Sequence, residues 1–228
     1  MKKFSKYVLI CILSLSSITT SIYAKNALTT PQITICNDEL SQKYDEVYDQ
    51  MLQELNQKVR TNSIPLSTNE TSTQIYTKSL QEENSIVTLG IVYSLEPATY
   101  SSDFQGTTDT ITHAKVYVRS DIDKSVDSQG FDIATLTSVE GKVVALYDGA
   151  KLTKINVHAF QNTLLGSSGI KSTNFETPQL SYSKSFSWPY VRYSDSMTLL
   201  GQQVNFTFQR GTSTVSDSIN VTFGGGPL

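Results

Sequence analysis

From Leu180 to Tyr193 the residue types alternate almost without a break. Leu180, Tyr182, Phe186, Trp188 and Tyr190 hold even positions, while Ser181, Ser183, Ser185 and Ser187 hold odd ones. Successive side chains of a β-strand point to opposite faces, so the pattern predicts one strand with an aromatic face and a hydroxyl face. Everything downstream of residue 73 reads as a sheet built to use such strands.

From Gln74 onward the sequence has period two and is rich in β-branched and aromatic residues. Strands are expected near 73–80, 86–95, 109–119, 131–139, 142–148, 151–160, 179–193, 202–209 and 214–223. Turn chemistry separates most of them, at Glu82-Glu83-Asn84, from Asp121 to Gly130, at Gly141, at Asp148-Gly149, from Gly166 to Gly169, and at Arg210-Gly211-Thr212. The last of these turns marks the clearest hairpin. Val204, Phe206 and Phe208 alternate on one arm, and Val215, Ile219, Val221 and Phe223 share a face on the other. Short strands with turns at this spacing, and no helical pattern among them, point to an antiparallel β-sandwich or barrel. An immunoglobulin-like sandwich is the guess we take, although the Cys…Trp…Cys signature that would strengthen it is missing.

One amphipathic α-helix precedes this region. Asn37 or Asp38 can cap it, and Leu40, Tyr44, Val47, Met51, Leu55 and Val59 fall on one face at 3.6 residues per turn. Lys58 and Arg60 suit its C-terminal end, and the run Thr61-Asn62-Ser63-Ile64-Pro65 stops it. The expected plan is therefore a signal peptide over 1–24, a helix near 38–60 with its linker inside 25–72, and a mainly β, sandwich domain over 73–228.

The signal peptide rests on Lys2, Lys3 and Lys6, the apolar run Val8 to Leu15, and a polar segment closing at Ala24. That apolar run is far below the ~20 residues needed to span a bilayer. Cys11 lies inside it without the small-residue context of a lipid-modified cysteine. The mature chain is thus expected to be secreted or held at the cell surface, with no transmembrane segment. Removing Lys2, Lys3 and Lys6 from 18 basic residues leaves them outnumbered by 21 acidic ones, and no basic cluster remains for nucleic acid to use. Cys36 is the single mature cysteine, so no intramolecular disulfide can form and the fold depends on its core.

Catalytic and metal signatures are sparse. A serine hydrolase needs a base within reach of its nucleophile, and only His113 and His158 are available; each reads as a sheet histidine. Gly166-Ser167-Ser168-Gly169 lacks nucleophile-elbow spacing. Cys36 stands just before a helix, where a thiol pKa falls, but Asp38 and Glu39 oppose the thiolate. Asp121, Asp123, Ser125, Asp127 and Asp132 offer oxygen ligands at calcium-loop spacing, yet Val126 replaces the required glycine and an aspartate replaces the final glutamate. An acidic hairpin loop is expected there instead. No catalytic residue, metal or cofactor is assigned.

Surface recognition remains. Trp188, Tyr190 and Tyr193 cluster around Pro189, and proline within a strand marks an edge or an end where side chains reach solvent. These three are the candidate ligand-binding residues, with Trp188 also suited to the core. The expected function is a secreted or surface-associated, non-enzymatic binding protein for a carbohydrate, a wall component or another protein. The alternatives are a secreted hydrolase using carboxylates or Cys36, and an assembly component associating through its helix or a sheet edge.

Overall fold

The structure, a computed structural model, describes residues 33–61, 73–96, 109–147, 149–166 and 168–224. The expected signal peptide, 1–24, and residues 62–72 of the expected linker lie outside the described residues. The chain order is β1 (Ile33–Ile35), α1 (Asp38–Arg60), β2 (Thr73–Gln81), β3 (Ser85–Glu96), β4 (Asp109–Val126), β5 (Asp132–Tyr147), β6 (Lys151–Thr163), β7 (Lys171–Thr177), β8 (Ser181–Ser185), β9 (Val191–Arg192), β10 (Thr198–Arg210) and β11 (Ser213–Gly224). Two antiparallel sheets form a sandwich. The larger runs β1-β5-β4-β3-β2, with β8 and β9 also pairing along β5, and the smaller runs β11-β10-β6-β7. Three connections change sheets: β5 to β6, β7 to β8, and β9 to β10.

The sandwich core is the inner face of both sheets, with Val116, Val118 and Leu136 from the large sheet meeting Val204, Phe206 and Ile219 from the small one. Each such side chain contributes about 1.5–3 kcal/mol on burial. The expected hairpin is present as β10–β11, with Val204 opposite Ile219 and Phe208 opposite Val215. β3 is apolar on both faces for a reason the helix supplies. Its Ile86 and Val92 enter the sandwich core, whereas Val87, Leu89, Ile91 and Tyr93 face α1, which covers the outer side of the large sheet.

Helix α1 begins where its capping chemistry predicts: the Asn37 side chain accepts the Leu40 N–H at 3.0 Å. Leu40, Tyr44, Met51, Leu55 and Val59 are buried as expected, but the middle of the stripe is Tyr48, fully enclosed, and Val47 is only half-buried. The Tyr48 phenol can be buried because it donates to the Val116 carbonyl at 2.8 Å. Beside it, the buried Lys115 ammonium lies 5.0 Å from the Tyr48 ring centre and 3.7 Å from the Asp45 carboxylate. The helix and both sheets belong to one compact unit.

Several strand expectations need correction. The strands expected at 131–139 and 142–148 are one, β5, because Gly141 is no turn: a Cβ there would stand 2.4 Å from the Tyr182 ring, so the glycine makes room for a tyrosine lying across it. The acidic stretch from Asp121 continues as β4 to Val126, and the turn occupies only the residues up to Phe131. β1 and β7 were not expected. β7 is a polar edge strand whose Thr173, Phe175 and Thr177 alone reach partial burial, which leaves almost no period-two signal. The expected strand 179–193 is broken in two, as described below.

β-Bulges change side-chain parity in the middle of strands. The register shifts leave His113, Thr137, Val144 and Thr153 opposite no residue. At Val144 the freed carbonyl accepts the N–H groups of Cys36, at 2.8 Å, and Asn37, at 3.2 Å, and so fixes the chain as it turns into α1.

Candidate functional site

The aromatic-and-serine run does not make one strand. Ser181–Ser185 pairs with Ser138–Lys142, and Val191–Arg192 pairs with Ile133–Ala134, so β8 and β9 both line β5 with a gap between them. Pro189 has no N–H to give a ladder, and residues 186–190 leave the sheet. Gln161 of β6 occupies the gap. Its fully buried amide oxygen accepts the Leu136 N–H at 3.1 Å and the Thr135 hydroxyl at 3.3 Å, standing in for a missing strand partner. Its amide nitrogen donates to the Pro189 carbonyl at 2.7 Å and to the Gly169 carbonyl. One side chain thus ties the 186–190 segment and the β6–β7 connection to the large sheet.

Along the same seam the aromatic residues close the side of the sandwich. Tyr182 is buried over Gly141 and donates to Gln202 Oε1 at 2.6 Å, while the Gln202 amide nitrogen donates to the Arg119 carbonyl at 2.6 Å. Phe186 and Trp188 stack with centroids 4.2 Å apart, both half-buried against the core. Lys184 lies 4.7 Å from the Phe175 ring centre.

Beyond Pro189 the chain reaches the end of the sandwich. Tyr190 is 40% exposed and its hydroxyl donates to the Asp123 carboxylate, a hydrogen bond that raises the phenol pKa. Tyr193 is half-buried; its burial and a hydrogen bond to Asp195 push its phenol well above the usual tyrosine range. Lys124 sits 4.9 Å from the Tyr193 ring centre, and the Arg192 guanidinium 4.1 Å from that of Phe131. Gly169, at φ +84°, allows the β6–β7 connection to press on this segment: a Cβ there would stand 2.7 Å from the Tyr190 carbonyl. The three sequence-chosen aromatics therefore take different positions: Trp188 in the seam, Tyr190 exposed, and Tyr193 half-covered by Lys124.

Sequence reasoning passed over what surrounds them. Val126, Phe131, Leu164, Leu165, Ile170 and Met197 are exposed at this same end; among the described residues the only large exposed hydrophobics elsewhere are Ile33, Ile35 and Leu180. Contacts join them: the Leu164 N–H donates to the Met197 carbonyl at 2.9 Å, Gly169 abuts Tyr190, and Arg192 covers Phe131. The available signal was Leu164-Leu165 set among Thr, Gly and Ser, where a loop ordinarily carries polar residues.

The other candidates are scattered. The Cys36 thiol is half-buried, and burial raises its pKa. His113 is buried at a bulge with Nε2 2.8 Å from Ser94 Oγ, and His158 lies against Phe160 with ring centroids 5.2 Å apart. The acidic residues of the 121–132 stretch serve separate partners. Asp121 accepts from Ser85, Arg119 and Ser138 at 2.6, 2.7 and 2.6 Å, and Asp127 accepts the Gln129 and Phe131 N–H groups at 2.8 and 2.9 Å. Among the described residues no group of three or more His, Cys, Asp or Glu side chains is placed to hold a metal ion, and no helix is long and apolar enough to cross a membrane.

No protein-family model, curated protein or solved structure matches the chain.

Proposed function

We propose that this chain is exported and works as a non-enzymatic binding protein, engaging a carbohydrate, wall component or protein at the cell surface with the sandwich end that carries Trp188, Tyr190 and Tyr193. The observation that carries the reading is the exposure of the Tyr190 ring amid apolar side chains from three separate connections. Exposed tyrosine gives a large rigid contact with a polar tip, suited both to sugar rings and to protein partners. Exposed apolar side chains gathered at one end and rimmed by polar groups mark an interaction site. The signal-peptide pattern at residues 1–24 supports export.

The test compares residues 25–228 with their Tyr190→Ala variant, in glycan-array and cell-envelope binding assays. Binding by the parent that falls about tenfold or more in Tyr190→Ala, at an unchanged melting temperature, supports the reading, since truncating a central aromatic anchor costs ~2 kcal/mol or more. Equal binding by both proteins refutes it.

A further inference from the structure

We infer that the same end of the sandwich seats on a phospholipid surface, with Leu164 and Leu165 entering the headgroup layer and the tyrosines lying at its level. The inference rests on the preceding reading only in taking this end as the working surface; it is carried by other residues.

Three features point to lipid. The first is shape. The apolar side chains lie in three connections: Val126 and Phe131 at the β4–β5 turn, Leu164, Leu165 and Ile170 between β6 and β7, and Met197 before β10. The most exposed of them, Leu164 at 77%, sits beyond the last residue of its strand. Separate projecting side chains suit a fluid layer that closes around each of them, whereas a rigid partner must supply a matching pocket for every one.

The second is the set of aromatic residues behind the tips. Tyr190 and Tyr193 each direct a hydroxyl to a carboxylate, on Asp123 and Asp195, and Trp188, two residues before Tyr190, is half-buried and stacks on Phe186. Amphipathic rings of this type concentrate at the level of lipid headgroups, where one end of the ring is in apolar surroundings and the other is wet.

The third is charge. The rim mixes signs: Lys124, Lys171 and Arg192 make no ion pair among the described residues, and Asp123, Asp127, Asp132 and Asp195 lie among them. A purely anionic surface meets both attraction and repulsion there. A zwitterionic headgroup layer, with phosphate and ammonium at nearly the same depth, offers each rim charge an opposite one. Lys124 and Arg192 already lie along aromatic rings, so their ammonium and guanidinium groups can stay at phosphate level while the ring beneath is apolar.

The experiment is flotation of residues 25–228 with phosphatidylcholine vesicles, and with vesicles in which part of the lipid is anionic phosphatidylglycerol, at low and high salt. The expected result is binding to phosphatidylcholine that changes little with salt and gains little from phosphatidylglycerol. A Leu164→Ser/Leu165→Ser variant, exposed enough to leave the fold intact, is expected to lose about tenfold or more of its vesicle partition, since binding scales with the apolar area inserted. Its melting curve stays unchanged.

Absence of vesicle binding overturns the lipid inference, and so does binding that the double variant retains or that appears only with phosphatidylglycerol at low salt. Envelope binding that depends on Tyr190 and persists without vesicle binding leaves the proposed function standing while this inference falls.

Discussion

Gln161 offers the sharpest test of how this sequence builds its end surface. Gln161→Leu puts a shorter, branched apolar side chain in place of the amide and removes four hydrogen bonds, to Thr135, Leu136, Gly169 and Pro189. The Leu136 N–H lies in the gap between β8 and β9, where no strand offers a replacement acceptor. A buried donor left unpaired costs about 1–3 kcal/mol. The Gly169 and Pro189 carbonyls lie on partly exposed segments and regain water, so each contributes only ~0.5–1.5 kcal/mol. The added apolar burial of leucine offsets about 1 kcal/mol of this. The net expectation is a loss of about 3 kcal/mol, or a fall in melting temperature of ~6–12 °C for a domain of this size. Urea and thermal unfolding measure the loss, and hydrogen exchange shows its location: protection should fall at Leu136 and in the 164–170 and 186–192 segments, with the β10–β11 hairpin unchanged. Gln161→Glu serves as a second arm. It keeps an acceptor for Leu136 but, once ionised, sets a negative charge against two carbonyl oxygens, so its deficit should shrink as the pH falls and the carboxyl protonates. A loss below about 1 kcal/mol with unaltered exchange would show that Gln161 does not hold these segments.

Three further perturbations test the frame around it. Gly141→Ala sets a methyl against the Tyr182 ring and should cost about 1–3 kcal/mol by overpacking; in a Tyr182→Ala background the same change should cost much less, which a double-mutant unfolding cycle reads directly. Asp121→Ala should destabilise by about 1–2 kcal/mol at neutral pH, allowing for its partial exposure. Burial works against the Asp121 carboxylate, but hydrogen bonds from Ser138, Ser85 and Arg119 outweigh it and hold its pKa below the usual range; a carboxyl depressed in the folded state stabilises above its unfolded pKa, so the gap between parent and variant in pH-dependent unfolding should close as the pH falls below about 4. Asn37→Ala removes the cap on Leu40 and should cost about 1 kcal/mol, with Asn37→Asp recovering most of it.

The residues that were legible in the sequence are those whose neighbours are fixed by local geometry. Asn37 caps α1 because a cap is a matter of three residues, and Val204, Phe206 and Phe208 face inward because β10 runs through them with no extra residue, the bulge opposite Thr207 and Phe208 lying in β6. Parity fails wherever a bulge intervenes. Strict alternation would set Leu152 on the face of His158 and Phe160, yet the bulge at Thr153 turns it onto the core, and nothing in the residues around Thr153 announces the extra residue. Gly141 failed for a related reason. A glycine in a polar stretch reads as a turn, while its actual cause, the ring of Tyr182, lies on a strand distant in sequence.

The site was half-legible on the same grounds. Trp188, Tyr190 and Tyr193 stood out because Pro189 interrupts an alternating run, a local signal. What places them at the surface is not local. Gln161 holds an inward position in the run Ile155, Val157, Ala159, Gln161, where an amide on an apolar face must find partners from elsewhere. It finds them in the backbone of 189 and 169, and those two carbonyls decide where Tyr190 and Ile170 emerge. The surface this chain offers is therefore a consequence of one buried polar side chain, and a polar residue on an otherwise apolar strand face is the place in such a sequence to look for what positions its loops.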